Sequence, residues 1–331
     1  MVTRRLRRSH VPLAFGMTST LPVTAGRRSE AAPSGLTVTD FLLLCMALIW
    51  GVNYAVVKFG AGQVPPLVFN SARVVLASVV LVGIVTLGAQ AWPRGRTLAA
   101  LLGLGVLGNG LYQFLFIEGI ARTRAGDAAL ILAAAPAFMA IIGRLRGTEH
   151  TGATGIAGIA LSLAGIGLVV FGDTNGGARA VSLNGDLLLL LACLCWSLYT
   201  VLLRPYTERV DGVVLSAVTM VGGAVPLVLV SLPSLEDTHW NAIGAGGWAA
   251  VAYSGLFALV LAYLFWYRGV RTLGPTRSAM YANLQPIIAL GVAWATLHET
   301  PHLMQLVGAV CIMGGLLLTR LQAAPVNPPC E

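Results

Sequence analysis

The chain is poor in charge. Of its 331 residues only 10% are Asp, Glu, Lys or Arg, and lysine occurs once, at Lys58. A water-soluble domain carries roughly 25% charged residues, so a solvated globular surface is excluded for most of this length. Cysteine is scarce and unpatterned: Cys45, Cys193, Cys195 and Cys311 fall in apolar stretches and Cys330 in the tail, with neither disulfide-framework nor metal spacing, which leaves them as packing residues. No glycine-rich phosphate loop of Walker type occurs, which argues against an ATP-driven pump, and nothing implies a cofactor or a metal. Groups able to titrate at membrane depth are also missing. Asp40, Asp127 and Asp186 lie at the ends of apolar stretches, Glu118 lies close to one, and all five histidines fall in tails or loops, so proton coupling finds little support.

What is present is apolar. The chain is 56% hydrophobic with a mean hydropathy of +0.80. Crossing a hydrocarbon core of about 30 Å takes roughly 20 apolar residues per helix. Ten segments meet that requirement, at 40–60, 66–88, 98–120, 126–143, 153–172, 184–204, 213–232, 248–267, 277–297 and 303–320, of which the fourth and tenth are short. The runs are continuously apolar rather than alternating over about ten residues, which favours helices over a barrel.

The sequence also repeats itself. Asp40, Trp50 and Lys58 recur 146 positions later as Asp186, Trp196 and Arg204. Gly119, Pro136, Glu149, Gly158 and Gly165 recur 150 positions later as Gly269, Pro286, Glu299, Gly308 and Gly315. Five spans per copy is an odd number, so the second copy must enter the bilayer upside down relative to the first. The expected fold is therefore an all-α integral membrane protein of ten transmembrane helices in two inverted five-helix repeats. Residues 1–39 form a basic cytoplasmic tail, 40–172 the first repeat, 183–320 the second and 321–331 a cytoplasmic C-terminal tail.

Arginine sets the orientation. With both ends cytoplasmic, the inner side collects 16 basic residues, while the outer loops hold four, Lys58, Arg122, Arg124 and Arg179, and Arg73 stays inside a span. The net charge of +8 and the basic isoelectric point thus report topology and attraction to anionic lipid, not nucleic acid. The Arg pairs ahead of Val11 to Met17 only faintly suggest a twin-arginine signal, because the apolar stretch is short and contains Pro12. A disordered extension or an upstream start is the plainer reading.

The run Ala47-Leu48-Ile49-Trp50-Gly51-Val52-Asn53-Tyr54, ending in Lys58, resembles the first helix of the EamA-type branch of the drug/metabolite transporter superfamily. The Phe69 to Arg73 stretch, the Ala135-Pro136 junction and Gln285-Pro286 resemble the same family, and the likeness covers roughly 40–320. One turn departs from the pattern: the usual Gly-Glu after span four reads Gly147-Thr148-Glu149. The resemblance implies a ten-helix inverted-repeat carrier with cytoplasmic termini, working outward.

In such carriers solutes bind near the midplane between the repeats, often where a helix is broken. Pro136 and Pro286 sit near the middle of spans four and nine, and each removes a backbone hydrogen bond. They mark either paired binding discontinuities or kinks that shape packing. Polar and aromatic residues at similar depth are the cavity candidates: Trp50, Asn53 and Tyr54; Asn109, Tyr112 and Gln113; Trp196 and Tyr199; Tyr263; and Tyr281, Asn283 and Gln285. Each alone could be interhelical glue, but as a set on equivalent helices of both repeats they favour a shared lining. Gly51, Gly103, Gly105, Gly108 and Gly110 allow close helix contact and hinge-like movement, although ordinary packing explains many of them equally well.

Arg73 lies roughly 12 Å deep in span two, where insertion costs about 2.5–3.5 kcal/mol, so it needs a partner. Glu118 is one candidate, reached by outward snorkelling. An anionic group on the substrate is another. Its counterpart is Thr219, so the charge is not a symmetric scaffold feature, and a role in organising the helix bundle is favoured.

His298-Glu299-Thr300-Pro301-His302 matches the zinc-peptidase pattern. The reading is rejected because Pro301 disfavours the required helical turn and the equivalent Gly147-Thr148-Glu149-His150-Thr151 cannot form the motif. Glu299 reads as a turn acid and Pro301 as the start of span ten. An intramembrane zinc protease and a non-transporting receptor are the minor alternatives. The principal expectation is a non-enzymatic secondary carrier in a bacterial plasma membrane. Its partners are the lipid bilayer and a small molecule (a metabolite, an amino-acid-like compound or a drug) moved by alternating access, and the letters do not reveal its oligomeric state.

Overall fold

The computed structural model describes residues 37–147, 152–172, 179–273, 278 and 281–321, and among these the regular structure is helical with no strand. Eight helices are long and apolar enough to cross a membrane. They are α1 (Val38–Gln63), α2 (Pro66–Leu87), α3 (Gly95–Arg122), α4 (Ala125–Leu145), α5 (Ala153–Phe171), α6 (Arg179–Thr207), α7 (Gly212–Glu236) and α8 (Ala245–Leu273). Two further apolar helices, α9 (Gln285–Leu297) and α10 (Leu303–Leu321), are shorter.

The helix starts are written locally. Thr37 and Asp40 form a capping box at α1: the Thr37 hydroxyl accepts from the Asp40 amide at 3.2 Å, while the Asp40 carboxylate accepts from the Thr37 amide at 2.9 Å. Pro66 opens α2, where its missing N–H costs nothing. Asp211 caps α7 by accepting from Val213 N at 2.9 Å. The expected ninth span, 277–297, differs from what is described. The described helix begins at Gln285, after a turn at 283–284 that follows the helical Tyr281 and Ala282. Pro286 cannot continue a helix from the N-terminal side, so the segment restarts there. Lys58, expected in a loop, stands inside α1, where its ammonium donates to the Ala121 carbonyl at 3.1 Å.

Large apolar side chains face outward around an interior that also holds polar groups. Val79, Val225, Leu229 and Trp294 face outward, whereas Asn70, Arg73, Asn109, Gln113 and Ser197 are each no more than 3% exposed. Apolar outside and polar inside is the distribution that lipid selects.

The tightest packing joins α5 to α10. Gly158 meets the Gly315 carbonyl and Gly165 meets the Gly308 carbonyl, so the two helices run antiparallel. A Cβ added at Gly308 would stand 2.7 Å from Val169 Cγ2 and 2.8 Å from the Gly165 oxygen, so glycine is required for this approach. Around that pair, α1 packs on α8 and α9, α6 packs on α3 and α4, and α2 packs on α7. Gly51 admits Ile288, Gly105 admits the Thr219 backbone, Gly108 admits the Tyr199 ring and Gly110 admits Pro226; Gly103 meets nothing.

Candidate functional site

Two kinds of irregularity converge on the middle of the bundle. α4 breaks at Ala134, with Ala134 N donating to Ile131 O at 3.3 Å, and Pro136 stands in the first turn of the new segment, Ala135–Leu145. Before α9, Leu284 N donates to Tyr281 O at 3.0 Å, and Pro286 stands in the first turn of Gln285–Leu297. These bonds join residues at equivalent positions of the two halves. In addition, α3 contains a π-helical segment at Val106–Leu111 and α8 another at Tyr253–Leu261. Widening a helix in this way frees backbone carbonyls for side chains. The Trp50 indole N–H duly donates to Ala258 O at 2.9 Å, inside the second π segment.

The expected aromatic residues form two groups. Around Trp50, the Tyr263 ring lies at 5.6 Å edge-on and Trp266 at 6.1 Å. Around Trp196, Tyr112 lies at 5.1 Å and Tyr199 at 5.4 Å, and Phe116 links Tyr112 to Tyr54 with separations of 5.9 and 6.1 Å. The Tyr199 hydroxyl donates to Thr219 Oγ1 at 3.4 Å.

Arg73 sits beside these groups and is 1% exposed. Its Nε donates to Asn70 Oδ1 at 2.9 Å and its Nη2 to Gln113 Oε1 at 2.6 Å, while Asn70 Nδ2 donates to the Gln113 carbonyl at 3.0 Å. The guanidinium carbon lies 5.5 Å from the Phe116 ring centre and 5.9 Å from that of Phe69. Glu118 is not its partner. That carboxylate bonds Arg122 one turn along α3 at 2.5 Å, because an i,i+4 neighbour at the helix end is reached without dragging a charge through the bundle.

Polar atoms are left over. Asn109 is 1% exposed, its amide nitrogen facing the Tyr199 hydroxyl and its Oδ1 without a hydrogen-bond partner, and Asn53 Oδ1 is likewise buried without one. Three expected residues stand apart from this centre. The Tyr281 hydroxyl donates to Asp40 Oδ1 at 2.6 Å at the first turn of α1, Asn283 occupies the turn before α9, and Gln285 starts α9 with its carbonyl facing Gly51. Asn70, Phe69, Phe116 and Thr219 contact the expected residues without being among the cavity candidates. For Asn70 a signal existed: it lies three residues before Arg73, one helical turn away. For Phe116 and Thr219 there was none, since only packing brings them in.

A family model described as the EamA-like transporter family matches residues 37–171 and again 183–321. The chain belongs to the EamA-like transporter family. Among relatives of this EamA-like transporter, the "Uncharacterized transporter YyaM" of Bacillus subtilis is 29% identical over 83% of this chain and 91% of its own length. The "Probable amino-acid metabolite efflux pump" of Salmonella typhimurium is 27% identical over 84% and 93%. The "Uncharacterized inner membrane transporter YedA" of Escherichia coli is 29% identical over 87% and 94%. A solved crystal structure superposes with a TM-score of 0.62 at 19% identity, covering 87% of this chain and all of the other, which relates the folds.

Two cavities open in this EamA-like chain away from the aromatic centre. One of about 590 Å³ lies among Trp92, Arg94, Tyr206, Arg209 and Asp211, where the α2–α3 and α6–α7 connections meet. The other, about 390 Å³, lies on the flank of α3 and α6 beside Glu118 and Arg122. At the α9–α10 turn, residues 298–302 are not helical: His298 adopts a left-handed φ of 56°, and His302 Nδ1 accepts from Gln305 N at 3.1 Å. Glu299 instead reaches across to α4, accepting from Ala125 N at 3.2 Å and Gly126 N at 3.4 Å, where the helix N-terminus favours an anion. Helix α10 begins at Leu303 rather than at Pro301. The equivalent turn residues Thr148 and Glu149 lie outside the described residues.

Proposed function

We propose that this membrane transporter is a secondary carrier that exports a small metabolite, such as an amino-acid-like compound, by alternating access. It does so as ten spans in two inverted five-helix repeats with cytoplasmic ends. The observation that carries the reading is the exchange pattern of the packing. Swapping α1–α5 for α6–α10 turns the partners of α1, namely α8 and α9, into those of α6, namely α3 and α4. The same swap leaves the α2–α7 and α5–α10 pairs unchanged. A helix packed antiparallel to its own counterpart, as α5 is to α10, needs a two-fold axis lying in the membrane plane. Two halves related in this way have equivalent inward and outward arrangements, which is the requirement for rocking about a fixed site.

The substrate region is the junction of the two aromatic groups with Asn53, Arg73, Asn109 and Gln113. Outward transport is favoured by the relative named as an efflux pump. Localisation to a bacterial inner membrane is favoured by the relative named as an inner membrane transporter. Counterflow of radiolabelled amino acids in proteoliposomes tests the reading, with Asn53→Ala, Trp196→Ala and Asn283→Ala variants. Asn53→Ala and Trp196→Ala should reduce flux more than tenfold. Unchanged flux in all three variants moves the site elsewhere. Labelling single cysteines at the two chain ends from opposite faces tests the topology.

A further inference from the structure

The charge on Arg73 has no counter-charge among the described residues. It is fully buried in α2, and among the described residues no carboxylate lies within ion-pair distance; Glu118 is already held by Arg122. A guanidinium does not shed its proton to escape this cost. Both of its hydrogen bonds go to neutral amides, Asn70 and Gln113, and neutral partners leave the net charge in place. Cation–π contact with Phe69 and Phe116 softens the cost without cancelling it.

The geometry leaves one edge of the group free. Of five N–H donors, Nε–H serves Asn70 and one Nη2–H serves Gln113, which leaves three. The three are both hydrogens of Nη1 and the second of Nη2. Nη1 carries no hydrogen bond within the protein's described residues, and a charged N–H donor of this kind binds a carboxylate strongly. A second observation points to a ligand. Asn109, four residues before Gln113 in α3, is buried with its Oδ1 unpartnered while its amide nitrogen faces the Tyr199 hydroxyl, and Asn53 Oδ1 is also buried without a partner. A buried polar atom without a partner costs about 1–3 kcal/mol, so these amide oxygens favour a ligand that brings a hydrogen-bond donor.

We infer that the solute carries a single carboxylate, held by the Nη1 edge of Arg73. Its other polar groups meet Asn109 and Asn53, and its apolar body lies among Tyr54, Tyr112, Phe116 and Trp196. One negative charge neutralises the guanidinium, whereas a phosphate dianion would replace an unpaired cation by an unpaired anion. The inference rests on the transporter reading above and deepens it.

The test uses purified full-length protein in detergent and pairs of probes that differ in one charge: indole-3-acetate against indole-3-acetamide, 3-phenylpropanoate against 3-phenylpropanamide, and L-tryptophan against L-tryptophanamide, with phenyl phosphate as the dianion. At least one carboxylate should raise the unfolding temperature saturably, with its amide weaker by about tenfold or more, the scale of one lost charge-assisted contact. Arg73→Gln should abolish that preference, and Arg73→Lys should keep part of it, since charge remains and the fork is lost. Arg122→Gln should leave it unchanged. If Arg73→Gln does not fold, the preference of the native protein decides alone. Equal stabilisation by acid and amide overturns the inference, as does a preference for phenyl phosphate, an Arg73→Gln protein that keeps the preference, or a set in which no carboxylate stabilises. Counterflow of the same probes separates the two levels: flux of amides without acids sinks the carboxylate and leaves the carrier standing, whereas folded protein with flux of neither sinks the carrier reading itself.

Discussion

The halves of the molecule on either side of the α5–α6 connection agree in their skeleton and disagree in their polar chemistry. Glycines meet at matched positions of α5 and α10, helices break one residue before matched Ala-Pro and Gln-Pro pairs, and π segments occupy matched stretches of α3 and α8. The charged and amide groups do not match. At the positions equivalent to Asn53, Asn70, Arg73, Asn109 and Gln113 the second half places Tyr199, Ser216, Thr219, Leu259 and Tyr263. Ser216 and Thr219 spend their hydroxyls on carbonyls of their own helix, at 2.9 Å in each case. What repeats is the machinery of close packing and helix interruption. What does not repeat is the set of buried charged and amide groups, which the first half carries.

The largest expected effect tests the shared skeleton. Gly308→Val and Gly165→Val should each destabilise the fold by more than about 3 kcal/mol, because both force a methyl group into backbone with no flexible neighbour to yield. Thermal unfolding in detergent measures this, and a mild effect in one with a severe effect in the other would break the equivalence of the two helices. Next comes the unshared chemistry. Gln113→Leu removes the acceptor from Arg73 Nη2 and should cost about 2–3 kcal/mol, whereas Thr219→Val at the equivalent of Arg73 should cost under about 1 kcal/mol. Similar losses in the two would show that the polar asymmetry carries no energetic weight.

A smaller difference separates the two tryptophans. Trp50→Phe loses the bond to Ala258 O and should cost about 1 kcal/mol more than Trp196→Phe, whose ring contacts with Tyr112 and Tyr199 a phenyl group largely keeps. The smallest effect sits at the periphery. Arg122→Gln breaks the i,i+4 pair with Glu118, and because Arg122 is 42% exposed the change should stay within about 0.5 kcal/mol and fade further in salt. A loss above 1 kcal/mol would mean that this pair holds more than one helix end.

Much of the skeleton was legible in the letters. A hydrocarbon core demands a length of apolar chain, so spans such as Pro66–Leu87 and Ala153–Phe171 could be bounded to within a residue or two. The broken helices were legible through Pro136 and Pro286, since proline lacks the donor that continuation requires. The π segments were not, because no residue type encodes a widened turn and the deformation is set by what packs against it. Tyr281 shows the same boundary: its place in a polar stretch before Pro286 suggested lining, while its hydroxyl bonds Asp40, 241 residues away in the chain.

By itself, then, the sequence determined the apolar surroundings, the bounds of several apolar segments, the doubled pattern of residues and the positions of the breaks, because composition, period and backbone chemistry act within one stretch of chain. Only the tertiary structure decided that Arg73 is held by Asn70 and Gln113 rather than by Glu118, that Glu299 caps a helix of the other half, and that Asn109 Oδ1 is left without a partner. Those outcomes depend on which helices become neighbours, and hydrogen bonds of a few ångströms between residues tens or hundreds of positions apart exist only once the bundle has closed.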